Sequence, residues 1–154
     1  ILDETIDNIR SITRDLMPTN LERFGLLAAV EDLCKRINDT GELNMSFQYN
    51  QKKRIDEQKE FALYRIVQEL VNNTLKYAKA DEVQIQLTFN EGILKLSYVD
   101  NGRGFELEKW RKDTTLQNGL GLRGIETRAS VLGADVQLNS APEKGFQLAL
   151  NVAI

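Results

Sequence analysis

Residues 57–105 read EQKEFALYRIVQELVNNTLKYAKADEVQIQLTFNEGILKLSYVDNGRGF. Leu63, Ile66, Val67, Leu70, Val71, Thr74 and Ala78 recur at the spacing of one helix face, so residues 57–79 read as a single long helix. Residues 83–89 and 93–99 then alternate apolar and polar side chains, and Asn90-Glu91-Gly92 between them is a turn signal. The pair reads as a hairpin with one face buried and one wet. An amphipathic helix followed by one-faced strands needs a layer of helices on one side of a sheet.

The flanking segments extend that layer. Leu26, Leu27, Val30, Leu33, Cys34 and Ile37 make a second helix face closed by Gly41, and residues 43–49 alternate as a strand. Downstream, residues 101–118 turn polar and glycine-punctuated, which reads as a lid-like loop. Leu122, Ile125, Ala129 and Leu132 give a helix ended by Gly133, and residues 134–138 and 146–152 are two further strands. The expected fold is α+β, a two-layer sandwich whose mixed, mostly antiparallel sheet is covered on one face by helices. At the other end, Leu2, Ile6, Ile9, Ile12 and Leu16 form a heptad-like seam, ended by Pro18. Residues 1–18 therefore read as the end of a helical bundle or dimer stalk, with a terminal helix folded on its own domain as the alternative, and residues 19–154 as the main domain.

Composition removes several function classes. The 154 residues carry 20 Lys plus Arg against 23 Asp plus Glu, a formal charge of −3, without the basic excess that general nucleic-acid binding needs. Histidine is absent, which excludes Ser-His-Asp triads and Cys-His pairs within this chain. No run of about 18 apolar residues exists. The single cysteine, Cys34, forms no internal disulfide and fits a reducing, cytoplasmic setting. The chain begins with Ile1 and shows no signal-peptide pattern, so it reads as a piece of a longer protein.

Three stretches carry chemistry. Glu69, Asn73 and Lys76 stand at i, i+4 and i+7 of the long helix. At 100° per residue they stay within roughly 60° of one another, on the rim of the core face. A carboxylate, an amide and an ammonium in line suit a hydrated Mg²⁺ and a polyphosphate, although a solvated helix flank has the same spacing. Next, Asp100 ends an apolar strand directly before Asn101-Gly102-Arg103-Gly104-Phe105. A poorly solvated carboxylate there must find donors, and the exocyclic amine of a purine is one; a simple Asp-capped turn is the other reading. Finally, Gly119-Leu120-Gly121-Leu122-Arg123-Gly124 opens a helix, where free backbone N–H groups favour phosphate. Its match to the dinucleotide fingerprint is weak, because the preceding residues 113–118 are not strand-like, and a flexible hinge is the plainer alternative.

The order of these stretches resembles the ATP-binding domain shared by sensor histidine kinases, gyrase, the heat-shock chaperone and mismatch-repair ATPases, the Bergerat-type fold. Within that superfamily the chain is most similar to the catalytic domain of a bacterial two-component sensor histidine kinase. Residues 65–78 resemble the N box, residues 100–105 the first glycine box, and residues 119–125 the second, with its continuation Glu126-Thr127-Arg128-Ala129. The seam of residues 1–18 resembles the end of the second dimerisation helix.

The resemblance implies roles for particular residues. Asn73 would ligate Mg²⁺, Glu69 would polarise water in the metal shell, Lys76 would touch the phosphates, and Asn72 and Tyr77 would assist. Asp100 would accept from the adenine amine, with Gly102, Gly104 and Phe105 shaping the pocket. Asn118, Gly119, Leu120, Gly121 and Leu122 would cradle phosphates beneath the lid. Three positions depart from the family pattern: Tyr77 and Asn118 stand where histidine is frequent, and Phe146 follows Gly145 where a threonine usually helps hold the adenine side. The implied reaction is phosphoryl transfer from ATP-Mg²⁺ to a histidine outside this chain, then to a response regulator. The implied partners are its own dimerisation domain, a second kinase subunit and the regulator, in a parent that is either soluble or membrane-anchored. Two alternatives use the same fold: an anti-sigma-factor-type serine kinase, and a nucleotide-binding pseudo-kinase that only makes protein contacts.

Overall fold

A computed structural model describes residues 19–112 and 122–154. Helix α1 covers Thr19–Phe24 and α2 covers Leu26–Thr40. Strand β1 is Asn44–Tyr49, and helix α3 is Glu57–Asn73, continued by a π-helical turn over Thr74–Ala78. Strands β2 (Glu82–Asn90) and β3 (Ile93–Asp100) follow, then helix α4 (Leu107–Lys112), helix α5 (Leu122–Val131), and strands β4 (Asp135–Ser140) and β5 (Phe146–Ala153).

The five strands form one sheet in the order β1-β2-β3-β5-β4. β1 runs parallel to β2, across the connection that contains α3, and the other pairings are antiparallel. The architecture is therefore the expected α+β one with a mixed sheet. Alternation decides which side is covered. Along β2, Val83, Ile85, Leu87 and Phe89 are buried, while Gln84, Gln86 and Thr88 are exposed. On β3 and β5, Leu94, Leu96, Tyr98, Leu148, Leu150 and Val152 continue the buried face. Against it lie Leu63, Ile66, Val67, Leu70 and Val71 of α3, with Val30, Leu33 and Ile37 of α2. Burying a side chain of this size contributes about 1.5–3 kcal/mol. The helical face is thus the main source of stability for α3, the element that carries Glu69 and Asn73.

The ends of the helices are fixed locally and at long range. The Asp56 carboxylate accepts from the backbone N–H groups of Gln58 and Lys59 and so caps α3. Helix α2 follows Gly25, which has no side chain to cap it. Its first N–H, at Leu26, donates instead to Oε2 of the buried Glu60, on α3. Arg54 completes the cluster by pairing with Glu60 at 3.1 Å and donating to the carbonyls of Glu22 and Arg23 at the end of α1.

Three features differ from the sequence reading. The long helix does not stay α-helical to residue 79, because its last turn widens to π geometry. Helix α1 is additional. A short helix, α4, lies within the stretch read as a continuous loop. The seam of residues 1–17 and the lid positions 113–118 lie outside the described residues.

Candidate functional site

Asp100 is the last residue of β3, and its position makes it the best-defined polar group of the site. The inner-face alternation that buries Leu94, Leu96 and Tyr98 also buries Asp100, with 5% of its surface exposed. A carboxylate taken from water must be hydrogen-bonded. Oδ1 accepts from the main-chain N–H of Gly102 at 2.9 Å and of Phe146 at 3.2 Å. Oδ2 accepts from the Thr74 hydroxyl at 3.2 Å. Burial pushes the carboxyl above its ordinary range, while the donors at Gly102, Thr74 and Phe146 pull in the opposite direction. The outcome is an oriented acceptor at the rim of the core.

The Thr74 bond ties the end of β3 to the end of α3. Asn73, the last α-helical residue of α3, immediately precedes Thr74. Asn73 is half-buried, and its Nδ2 is buried with no hydrogen-bond partner among the described residues. This amide therefore retains hydrogen-bonding capacity that the described chain does not use. Glu69 is half-buried one turn earlier, Asn72 is buried, Tyr77 is half-buried and Lys76 is exposed. The Lys76 ammonium lies 5.7 Å from the centroid of the Tyr77 ring. Residues 74–78 form a π turn, so Lys76 follows Asn73 in wider helical geometry than the uniform α-helix assumed in the sequence reading. π turns of this kind recur at functional sites.

The first glycine box is held from both sides. The N–H of Arg103 donates to the carbonyl of Ala78 at 2.7 Å, and its own carbonyl accepts from Glu143 at 2.6 Å. Asn101 Oδ1 accepts from the N–H groups of Asp81 and Glu82, both at 2.9 Å, closing the turn onto the start of β2. A Cβ on Gly102 would collide with the carbonyl and Cβ of Ala78, and one on Gly104 with the carbonyls of Ala141 and Gly145. Both glycines are thus required by close packing of the chain on itself. Phe105 stacks on Phe146 with centroids 6.0 Å apart, and its N–H donates to Ser140 Oγ. Leu122 is buried in the core at the start of α5, which packs on α3.

The structure therefore joins the end of α3 to the end of β3 through Thr74 and Asp100, and packs α5 on α3. Asn118, Gly119, Leu120 and Gly121 lie outside the described residues. Phe146, the departure from the family pattern, turns its side chain into an aromatic stack and serves Asp100 through its main chain. Sequence reasoning missed Thr74 and Tyr98 as polar participants. Thr74 was read as part of the core stripe, and Tyr98 was not singled out from its alternating strand. Two hydroxyl groups aligned on facing apolar stripes were the only signal.

Residues 58–153 match the family model described as histidine kinase-, DNA gyrase B-, and HSP90-like ATPase. The chain is 32% identical over 155 residues to the oxygen sensor histidine kinase NreB of Staphylococcus carnosus, covering all of this chain and 44% of that protein. The chain thus spans less than half the length of this curated relative. Among solved structures, the histidine kinase domain of the Erythrobacter litoralis blue-light activated histidine kinase superposes with a TM-score of 0.64 at 14% identity, covering 99% of this chain and 92% of that one. The Acinetobacter baumannii histidine kinase AdeS gives a TM-score of 0.64 at 16% identity, covering 97% of this chain and 75% of that one. These two likenesses establish the shared fold. The match of the family model over most of the domain goes further: the chain belongs to the histidine kinase-, DNA gyrase B- and HSP90-like ATPase family.

Proposed function

We propose that this chain is the ATP-Mg²⁺-binding catalytic domain of a sensor histidine kinase. The observation that carries the reading is the buried Asp100 carboxylate, held by Gly102, Phe146 and Thr74 beside the helix end that bears Asn73. In this reading Asp100 accepts from the adenine amine. The Asn73 amide oxygen and Glu69, directly or through water, hold the metal. Hard oxygen donors suit Mg²⁺, so the amide oxygen is the ligand, and the buried, unpartnered Nδ2 of the same group is left to donate to a phosphate oxygen. Bound Mg²⁺ supplies neutralisation of phosphate charge. Lys76 adds a positive charge from the exposed side of the π turn. Tyr77 and Asn72 flank it, and Phe105 with Gly102 and Gly104 shapes the adenine side. Asn118, Gly119, Leu120, Gly121 and Leu122 supply backbone donors to the phosphates.

The protein's work is positioning and electrostatics, because phosphoryl transfer asks for little covalent participation. The chain contains no histidine, so the acceptor is supplied by another segment or subunit. Residues 1–18 belong to the dimerisation helix of a homodimeric parent, and a response regulator takes the phosphoryl group onward. The domain is cytoplasmic; among the described residues no helix is long and apolar enough to cross a membrane.

Calorimetric titration with ATP, with and without Mg²⁺, tests the site. Asp100→Asn is expected to abolish binding, and Asn73→Ala to remove its metal dependence. Binding by Asp100→Asn at parental affinity would refute the adenine role. The transferase reading is tested by joining the chain to a histidine-bearing dimerisation segment and following label from ATP into phosphohistidine.

A further inference from the structure

The Asp100 carboxylate is satisfied unequally. An ionised carboxylate offers about four lone-pair sites. Oδ1 takes two main-chain N–H groups, which no side-chain substitution removes. Oδ2 takes a single side-chain donor, the Thr74 hydroxyl. The plane of the carboxylate, and the direction of its remaining lone pair, therefore depend on Thr74.

Thr74 has one hydroxyl hydrogen and a choice of acceptors. Its Oγ1 lies 3.1 Å from the Leu70 carbonyl oxygen, 3.2 Å from Asp100 Oδ2 and 2.5 Å from the Tyr98 hydroxyl. Tyr98 is fully buried, and its hydroxyl also reaches the Leu70 carbonyl at 3.2 Å. Two hydrogens thus serve three acceptor groups. When Tyr98 donates to Leu70 or to Thr74, the Thr74 hydrogen is released to the charged acceptor, which forms the stronger bond. Without the phenol, the Leu70 carbonyl competes directly for that hydrogen.

We propose that Thr74, supported by Tyr98, is a positioning residue that aims Asp100 at the purine amine and so sets nucleotide selectivity. This rests on the adenine role of Asp100 given above. Thr74 touches no reacting atom; it acts through the carboxylate. Its β-branch restricts the side chain to few rotamers, which suits a fixed donor. Its place at the junction of α3 and the π turn links that selectivity to the helix end that carries Asn73.

The test compares the affinities of ATP and inosine triphosphate, which has a carbonyl in place of the amine. Thr74→Val is expected to weaken ATP binding about tenfold with little change for inosine triphosphate, so the ratio of affinities falls. Thr74→Ser restores most of the ratio, and Tyr98→Phe lowers it in the same direction. A structural role alone would weaken both nucleotides by one factor, and that result overturns the proposal. So does an unchanged ratio in Thr74→Val. If Thr74→Val does not fold, Tyr98→Phe decides by the same ratio. Asp100→Asn separates the two levels of the argument: full ATP binding by that variant overturns the adenine role and the proposal together. Loss of binding there, with an unchanged ratio in Thr74→Val, overturns the proposal alone.

Discussion

The main-chain N–H of Phe146 donates to Oδ1 of Asp100 at 3.2 Å, and the two residues face each other across β3 and β5. The bond comes from sheet register and not from a side chain. A bulky aromatic residue can therefore stand beside the carboxylate without removing a donor from it. Its ring instead stacks on Phe105, with centroids 6.0 Å apart.

That burial gives Asp100 a pH signature. Its carboxyl is raised in the folded chain relative to the unfolded one, chiefly by desolvation. The stabilising contribution of such a group is present below the unfolded pKa and is lost as pH rises through the folded value. Asp100→Asn is therefore expected to gain stability over the parent as pH rises from about 4 towards neutrality. Urea unfolding of both chains across that range checks this; a difference that stays flat with pH contradicts it. ATP affinity has the opposite dependence, falling on acidification before an ordinary carboxyl would titrate.

Gly102→Ala is expected to destabilise the fold by about 1–3 kcal/mol, as overpacking does. The added methyl meets the backbone carbonyl of Ala78, which is already bonded to Arg103. Thermal unfolding without nucleotide measures the effect. A melting temperature equal to that of the parent would mean that the glycine serves ligand access and not chain packing.

The Arg54–Glu60 pair links α1, α2 and α3. Arg54→Ala leaves the buried carboxylate with the Leu26 N–H but without its cation, at an expected cost of about 1–3 kcal/mol. Glu60→Gln retains an acceptor for Leu26 and should cost less. Chemical denaturation of the two variants tests that order.

Cys34 is buried, and its thiol is pushed up to about 12, mainly by desolvation, with Glu31 adding to the effect. It is expected to resist alkylation near neutral pH in the folded chain and to react on denaturation. Rapid modification of the native protein would show that α2 opens locally.

Much of the fold was legible because its signals are periodic. The apolar stripe of α3 and the strict alternation of β2 and β3 depend on nearest neighbours along the chain, and each marks a buried face. The glycine boxes were legible as motifs, and so was the acid at the strand end. The π turn was not. Its residues keep a helical composition, and the departure coincides with hydroxyl groups that meet at the Leu70 carbonyl from different elements.

By itself the sequence determined the order of the strands and longer helices and their inward faces, and it offered the acid, the amide and the glycines as candidate site residues. Only the tertiary structure decided how those groups are held. Thr74 bonds to a carboxylate 26 residues away, Phe146 reaches the same carboxylate across 46 residues, and Glu60 caps a helix that begins 34 residues earlier. Hydrogen bonds are short and directional, so such partners exist only after hydrophobic packing has fixed sheet register and helix position. Periodicity records which side of an element turns inward, but not which polar atoms will meet there.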